Sequence, residues 1–342
     1  MAQTSLTLNY DSVLSTTLFA VRDQLYDNIF KTNAFWNWLH AKGRKRVING
    51  GERIQVALQY GTNSTVKSYS GYELLDTTPQ DNVTSCFYNW KQIAGSIAIS
   101  RKEERQNSGE AQILDLFRQK VTELELTMAE TLASQVLAAK PTGGLEANIG
   151  NSGLDITPLT LMATEDGAAT LGGIATSSNS WWANQYLDMS GADYDTQTER
   201  RDAYRTVYNN CTKGPGGGPD LALASQDAYE DYEAGLDVNA RYTVEGLADM
   251  GFDNLKMKGA TLFWDEQVSQ GTDIGGGDAN AGAIYFLNSK FLELAVDAQT
   301  DLITSPFVRP ENQDARVAQV LFMGELTCSN RRKQGVAFDI AV

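Results

Sequence analysis

Residues 111–140, AQILDLFRQKVTELELTMAETLASQVLAAK, contain the longest uninterrupted helix pattern in the chain. Asn107, with Glu110 three residues later, predicts the start of the helix, and Lys140 before Pro141 predicts its end. At ~1.5 Å per residue the helix is long enough to cross a domain. Its apolar stripe predicts a position in the core, with side chains recurring every four positions and one step of seven at Ile113, Phe117, Leu124, Met128, Leu132 and Val136.

A long β-hairpin is predicted directly before this helix. Residues 52–60, ERIQVALQY, alternate between apolar and polar side chains, and residues 83–100 resume a second long strand. The polar stretch between them carries Tyr69, Tyr72 and Leu74. Two strands cannot bury both of their faces, so the hairpin needs a partner surface, within the subunit or on another one.

The chain before the hairpin begins with a predicted helix over residues 11–31. A dense aromatic group follows, with Phe35, Trp36 and Trp38 in four positions. One interpretation is a plug in the core, and the other is an anchor onto a neighbouring subunit. The pattern leaves both open.

The strongest basic cluster comes next, in HAKGRKRVINGG over residues 40–51. It contains Lys42, Arg44, Lys45 and Arg46. Such a cluster can contact nucleic acid, but an ion-pairing patch or a solvated turn is the more common role, and we favour that role here. Arg44 and Arg46 join the aromatic residues as candidate subunit-contact residues.

After the long helix, residues 141–190 show little periodicity, and the sequence leaves open whether they form ordered loop or short strands. Helices are predicted over residues 196–211 and 226–236. A short buried strand is predicted between these helices, over residues 221–225. The final third is predicted to be mostly β, with strands over residues 255–264, 283–287, 291–296, 316–327 and 334–340. A bulge is expected at Gly259 in the first of these.

Composition excludes several classes of protein. The chain has 342 residues, of which 42% are hydrophobic and 21% charged, enough for one large or two modest cores. A net charge of −15 argues against nucleic-acid binding as the main task, because phosphate contacts need clustered cations. The three widely spaced cysteines predict neither a disulfide framework nor a zinc site, and favour a reducing compartment. Neither a signal peptide nor a membrane span is expected.

Catalytic patterns are not found. His40 is the single histidine, and no GxSxG stretch supplies a serine nucleophile. The glycines at 214–218 lack the spacing of a phosphate-binding loop, and residues 271–282 lack the ligand order of a helix-loop-helix calcium site. Carboxylates such as Glu230, Asp231 and Glu233 are expected in any acidic protein. We therefore expect no enzyme activity, no catalytic residues, no metal site and no cofactor.

The order of parts and several stretches of sequence resemble the major capsid proteins of tailed bacteriophages, which have the Hong Kong 97-type capsid fold. The resemblance covers essentially the whole chain, and its support is cumulative. The stretches are GGERIQVALQYG, LGGIATSSNSWWANQY, PDLALASQDAYEDYEA, FDNLKMKGATLFWDEQV and AIYFLNSKFLELAV.

The resemblance implies an α+β phage major capsid fold with a long spine helix, an extended β-hairpin loop, a peripheral domain and an axial domain. It places the N-terminal arm and helix at residues 1–49 and the extended loop at 50–100. The peripheral domain with the spine helix spans 101–152, the axial domain 153–297, and the closing strands of the peripheral domain 298–342.

The resemblance also implies a function and partners. The expected function is self-assembly into hexamers and pentamers of an icosahedral shell, built in the host cytoplasm around double-stranded DNA that is not bound sequence-specifically. Scaffolding, portal and decoration proteins are implied as further partners. Subunit contacts are expected from the arm and loop, at Phe35, Trp36, Trp38, Arg44, Arg46, Tyr69, Tyr72 and Leu74. The alternatives are an encapsulin-like nanocompartment shell and an acidic hydrolase with a carboxylate pair.

Overall fold

The computed structural model describes residues 34–106, 116–236, 255–268, 282–301, 303–304, 308–311 and 313–340. The predicted helix over 11–31, the start of the long helix and the glycine-rich residues 271–281 lie outside these ranges. The helices are α1 (Ala34–Ala41), α2 (Arg101–Gln106), α3 (Leu116–Val136), α4 (Leu159–Met162), α5 (Gln197–Thr212) and α6 (Gln226–Ala234).

The strands number fifteen in the described ranges. They are β1 (Lys45–Ile48), β2 (Arg53–Gln59), β3 (Val83–Asn89), β4 (Lys91–Ser100), β5 (Thr170–Leu171), β6 (Ile174–Ala175), β7 (Gln185–Asp188), β8 (Leu221–Ala224), β9 (Leu255–Met257), β10 (Ala260–Trp264), β11 (Gly282–Leu287), β12 (Leu292–Asp297), β13 (Ile303–Thr304), β14 (Ala315–Cys328) and β15 (Gly335–Ile340). The chain is α+β, as predicted.

Helix α3 confirms the long helix, and Met128, Leu132 and Val136 of its stripe are buried. The helix ends at Val136, earlier than the predicted Lys140. Two residues beyond this end, the carbonyl of Ala138 accepts a hydrogen bond from the Thr160 hydroxyl at 2.8 Å.

Helix α3 packs on a five-stranded sheet built from β1, β12, β14, β13 and β4. Strand β14 is its centre, antiparallel to β4, β12 and β13, while β1 runs parallel to β12 at the edge. A Cβ on Gly95 of β4 would lie 2.5 Å from the Leu124 side chain of α3. The absent side chain therefore allows the helix to lie close to the sheet.

A second, six-stranded sheet has the order β7-β15-β11-β8-β10-β9. Alternate residues of its strands enter two different cores, as the two-residue repeat of a strand requires. Leu223, Tyr285 and Val336 face the main core that also contains α3. Ala222 and Phe286 face a smaller core closed by α5 and α6. The sheet therefore lies between two hydrophobic layers.

Two predicted strands are each divided in the structure. The strand predicted over 83–100 is two strands, because the chain changes partners at Trp90, from β2 to β14. The strand predicted over 255–264 is a hairpin of β9 and β10, and its turn contains Lys258 with φ of 53° and Gly259. The expectation of a bulge in one strand was wrong.

The two sheets also divide the chain differently from the predicted segment boundary at 297/298. Strand β12 lies in the five-stranded sheet with β14, whereas the last strand, β15, lies between β7 and β11 in the six-stranded sheet. The closing strands β14 and β15 therefore belong to different sheets.

Residues 141–190 are short elements packed into the core rather than open loop. Strands β5 and β6 form a two-stranded hairpin, and Trp182, Leu159 and Leu161 are buried. Short 3-10 turns in this region and elsewhere are Thr142–Gly144, Glu146–Asn148, Ser180–Trp182, Ala192–Tyr194, Ser289–Phe291 and Arg331–Lys333. Both alternatives left open by the sequence occur here.

The turn between β14 and β15 holds two buried cations, Arg331 and Lys333. The Arg331 guanidinium donates to the carbonyls of Met162 (3.0 Å) and Leu161 (3.1 Å) and to the side-chain oxygen of Asn184 (3.0 Å). The Lys333 ammonium donates to carbonyls at and after the C-terminus of α5, at residues 212, 213, 214 and 217. This turn joins the α4 region and the end of α5 to the sheets.

We predict that Arg331→Met destabilises the chain by about 3–5 kcal/mol, because it leaves several buried acceptors without a donor. Urea unfolding followed by circular dichroism measures the change. The neighbouring Arg332 is exposed, so Arg332→Met is the matched control and should change stability by less than about 0.5 kcal/mol. Equal stabilities for the two variants would show that the Arg331 hydrogen bonds contribute little.

Cys86, Cys211 and Cys328 are buried free thiols. Within the described residues, none of the helices combines the length and the apolar character that crossing a membrane takes.

Candidate interaction surface

The base of the hairpin formed by β2 and β3 packs on the body of its own chain. Ile54 and Leu58 of β2 and Cys86 and Tyr88 of β3 are buried in the main core. The Tyr88 hydroxyl donates to the Cys328 carbonyl at 2.8 Å. The partner surface that the hairpin base needs is therefore within the subunit.

The tip of the hairpin, residues 61–82, carries large apolar side chains in water. Tyr72 is fully exposed, Leu74 is 90% exposed, Val66 81% and Tyr69 61%. Leu75 is also more than half exposed. A cluster of exposed apolar side chains on one segment is typical of a surface that another protein covers.

Local bonds hold the tip in shape. The side-chain oxygen of Asn63 accepts the N–H of Thr65 at 2.9 Å. In the same way, the carboxylate of Asp76 accepts the N–H of Thr78 at 3.0 Å. The Ser64 hydroxyl donates to the Gln80 side chain across the tip at 3.0 Å. These hydrogen bonds all join residues within the tip, so its shape depends little on the body.

At the root of the tip, the Tyr60 ring stacks on Trp181 with ring centroids 5.0 Å apart. The Tyr60 N–H donates to the Asn82 carbonyl at 3.1 Å, which extends the ladder one step beyond β2 and β3. The tip therefore begins after a firmly paired base.

The aromatic group of α1 divides between core and surface. Phe35 is 1% exposed and Trp38 3%, and both lie in the main core. Trp36 is partly buried against the same core, with its ring centroid 5.7 Å from that of Phe35. The core interpretation therefore describes Phe35 and Trp38, which have almost no surface left for a neighbouring subunit. Of the three aromatic residues, Trp36 is the one that is only partly buried, so part of its surface is accessible to a neighbouring subunit.

The basic cluster is partly neutralised within the chain. Lys42 pairs with Asp220 at 3.5 Å, and Lys45 pairs with Asp301. Arg46 is exposed, and Arg44 is partly buried with its Nε unpartnered. This arrangement agrees with the ion-pairing interpretation, and the contacts expected of Arg44 and Arg46 with a neighbour stay predictions.

A second exposed surface lies on the five-stranded sheet, on the face opposite α3. Outward positions of two adjacent strands carry no charged side chain there, although the protein is 21% charged. These are Gln92, Ala94, Ser96 and Ala98 of β4 and Val317, Gln319, Leu321 and Met323 of β14. Because charged residues are depleted at the core of protein interfaces, this uncharged face is a candidate contact surface.

Asp231, one of the carboxylates named from the sequence, is held in an ion pair. Asp231 accepts two hydrogen bonds from the Arg200 guanidinium, at 2.6 and 3.0 Å, inside the smaller core. A shallow pocket of about 470 Å³ beside the hairpin base holds one carboxylate, that of Glu52. In the ranges that the structure covers, no group of three His, Cys, Asp or Glu side chains could hold a metal ion.

Sequence reasoning did not find Glu325, which is 1% exposed within β14. Its carboxyl accepts the N–H groups of Thr157 and Leu326, each at 2.9 Å. Burial raises the pKa of Glu325 to about 8. A glutamate in an otherwise apolar strand, GELTC, was the signal that could have identified it.

Comparison of the structure with solved structures shows which fold this is. The chain is similar to the cyanophage A-1(L) capsid subunit, with a TM-score of 0.60 and 16% identity over 88% of this chain and 93% of that chain. It is also similar to the capsid subunit of a native GTA particle, with a TM-score of 0.56 and 12% identity over 89% and 90%.

An encapsulin shares the fold as well. The holo-SrpI encapsulin of Synechococcus elongatus PCC 7942 matches with a TM-score of 0.50 and 11% identity over 88% of this chain and 87% of that chain. No protein-family model and no curated protein sequence matches the chain. At these low identities the likeness shows the fold, which is the phage capsid fold expected from the sequence.

Proposed function

We propose that this chain, which has the fold of phage capsid subunits, is a major capsid protein that assembles into hexamers and pentamers of an icosahedral bacteriophage head. The observation that carries the proposal is the hairpin tip, with Tyr69, Tyr72 and Leu74 exposed on a segment that is shaped by its own bonds. A neighbouring copy that covered the tip would remove this apolar surface from water. The shell is the virion capsid, assembled in the host cytoplasm.

The proposed subunit has two parts. The five-stranded sheet with α3 is the peripheral part, and the six-stranded sheet with α5 and α6 is the axial part, packed around the axis of each ring. In a head-to-tail ring, a patch on one copy binds a different patch on the next copy. Each chain therefore needs two complementary surfaces. The tip and the uncharged face of β4 and β14 are two such surfaces. Scaffolding, portal and decoration proteins are further proposed partners.

The proposed role needs no catalysis and no cofactor. A net charge of −15 also suits a container, since the shell would not bind the packaged DNA tightly through its phosphates. DNA is then enclosed without sequence-specific contacts.

Replacing apolar residues of the tip tests the proposal. We predict that Tyr72→Ser with Leu74→Ser raises the protein concentration needed for assembly on the order of 100-fold or more, since each buried side chain contributes ~1.5–3 kcal/mol. Light scattering and negative-stain microscopy across a concentration series measure this. Ser68→Ala with Thr77→Ala, at exposed polar positions of the same tip, is the control. Identical assembly curves for both variants would count against the tip contact.

A second candidate function is an encapsulin-like nanocompartment shell, favoured by the similarity to the holo-SrpI encapsulin. The contents of purified particles distinguish the two proposals. A phage head purified from infected cells contains double-stranded DNA, whereas a nanocompartment contains a co-purifying protein and no DNA. Nuclease protection and mass spectrometry of the same particles give the answer.

A further inference from the structure

A buried ionisable group lies close to the junction between β3 and β4, where the chain leaves the hairpin and enters the five-stranded sheet. Lys91, the first residue of β4, lies opposite Gly324 of β14, the residue that precedes Glu325. Its ammonium donates to the carbonyl of Gly153. Burial raises the pKa of Glu325 and of Glu146, and the charge of Lys91 opposes that effect at both carboxyls. The charge of one cation thus acts on two carboxyls, that of the buried Glu325 and that of the partly buried Glu146.

The segment that Lys91 and Glu325 hold is a tight turn at residues 150–157. Asn151 and Ser152 have φ values of 52° and 58°, a left-handed conformation that costs free energy for residues with a Cβ. Lys91 holds the turn at the Gly153 carbonyl, and Glu325 holds it at the Thr157 N–H. The turn is strained, and besides Lys91 and Glu325 it is held by Gln135 of α3, which donates to Asp155 and accepts the N–H of Ile156.

Glu325, one of the residues that hold this turn, is a buried carboxyl with a raised pKa. Because burial raises its pKa to about 8 from an ordinary value of 4.5, the folded chain prefers the neutral carboxyl. The stability from this preference is complete below about pH 4.5 and is lost as the pH rises through about 8. A buried carboxylate needs a counter-ion, and Lys91 is the cation whose charge acts on it.

We propose that Lys91 and Glu325 form a proton-operated latch that holds the 150–157 turn and the root of the hairpin together. With Glu325 neutral, Lys91 is bound to the Gly153 carbonyl and the latch is closed. When Glu325 loses its proton, the Lys91 ammonium moves to the new carboxylate, the Gly153 carbonyl is released and the strained turn opens.

The other titratable groups around the latch have partners of their own. Glu146 accepts the N–H of Gly172, and Asp155 accepts the side-chain amide of Gln135 from α3 at 3.0 Å. On the other side of Glu325, the residue paired with it in β12 is Ala295, which does not titrate. Lys91 is therefore the group that responds to ionisation of Glu325.

Hydrogen exchange of the full chain tests the latch, with wild type and Glu325→Gln compared at the same pH so that the intrinsic pH dependence of exchange cancels. At about pH 6 the two should protect residues 89–93 and 150–157 equally. At about pH 9.5 the wild type should exchange roughly 10-fold faster or more in both segments, while Glu325→Gln stays protected. Glu293→Gln, at a partly exposed position of β12, is the control and should behave as wild type.

Lys91→Met is the second variant, and it should exchange rapidly in 150–157 at both pH values. If Glu325→Gln does not fold, the wild type alone decides the matter, since protection of 150–157 must fall with a midpoint near pH 8. Equal exchange of wild type and Glu325→Gln at both pH values, full protection in Lys91→Met, or no pH dependence in the wild type would each overturn the latch. The latch goes beyond the proposed function, and its test does not depend on whether the chain builds a shell.

Discussion

Deleting residues 62–80 is expected to leave a folded subunit that no longer assembles. The base of the hairpin ends with Gln59 opposite Val83, followed by the bond from Tyr60 to Asn82. Joining Gly61 to Asp81 closes the strands with a two-residue turn of types that hairpins favour. The apolar side chains that would contact a neighbour are then gone, while the buried face of β2 and β3 is intact.

Two measurements separate folding from assembly in this variant. Its free energy of unfolding should stay within about 1 kcal/mol of the wild type, because the deleted residues bond among themselves. Its sedimentation should show only unassembled subunit at concentrations where the wild type forms particles. If the deletion variant forms particles of normal size and yield, the assembly role of the tip is wrong.

Leu132→Asp is expected to unfold the subunit, in contrast to any change in the tip. Leu132 lies in α3 and is buried in the main core between the two sheets. The substitution loses the apolar contacts of a core leucine, about 2–5 kcal/mol, and adds a buried carboxylate without a partner. Since whole domains are stable by only about 5–15 kcal/mol, the native state should be lost or nearly lost.

A control for this substitution lies two residues further along the same helix. Ser134 is exposed, so Ser134→Asp adds the same charge without entering the core, and its thermal transition should be nearly unchanged. Circular dichroism melts compare the two variants. A cooperative transition in Leu132→Asp close to that of Ser134→Asp would show that α3 does not anchor the core as described.

The elements that sequence predicts well are those whose pattern is local. The stripe through Met128, Leu132 and Val136 gives α3, and the alternation through Ile54 and Leu58 gives β2, because in both cases burial repeats with the period of the backbone. Thr196 with Glu199 likewise forms the capping box that begins α5.

The features that sequence misses depend on which distant segment becomes the neighbour. Residues 83–100 are uniformly strand-like, and only the change of partner from β2 to β14 divides them at Trp90. Strands β12 and β15 are similar in pattern, but only the tertiary fold decides which sheet each one joins.

Candidate contact residues are predicted less evenly than the fold. Exposure of Tyr69, Tyr72 and Leu74 follows from the polar stretch around them, whereas Phe35 and Trp38 have the same apolar character and are buried in the core. Arg331 and Lys333 look like a charged surface turn and are buried, because backbone carbonyls from distant loops converge on them. Composition alone does not separate these cases.

Cryo-electron microscopy of the purified full chain, over a series of protein and salt concentrations, is the most direct test of the central claim. We expect closed rings or shells in which residues 61–82 of one copy lie on the adjacent copy, with Tyr72 and Leu74 buried in the contact. Monomers under every condition would contradict it, and so would particles in which the tip of the hairpin contacts no other subunit.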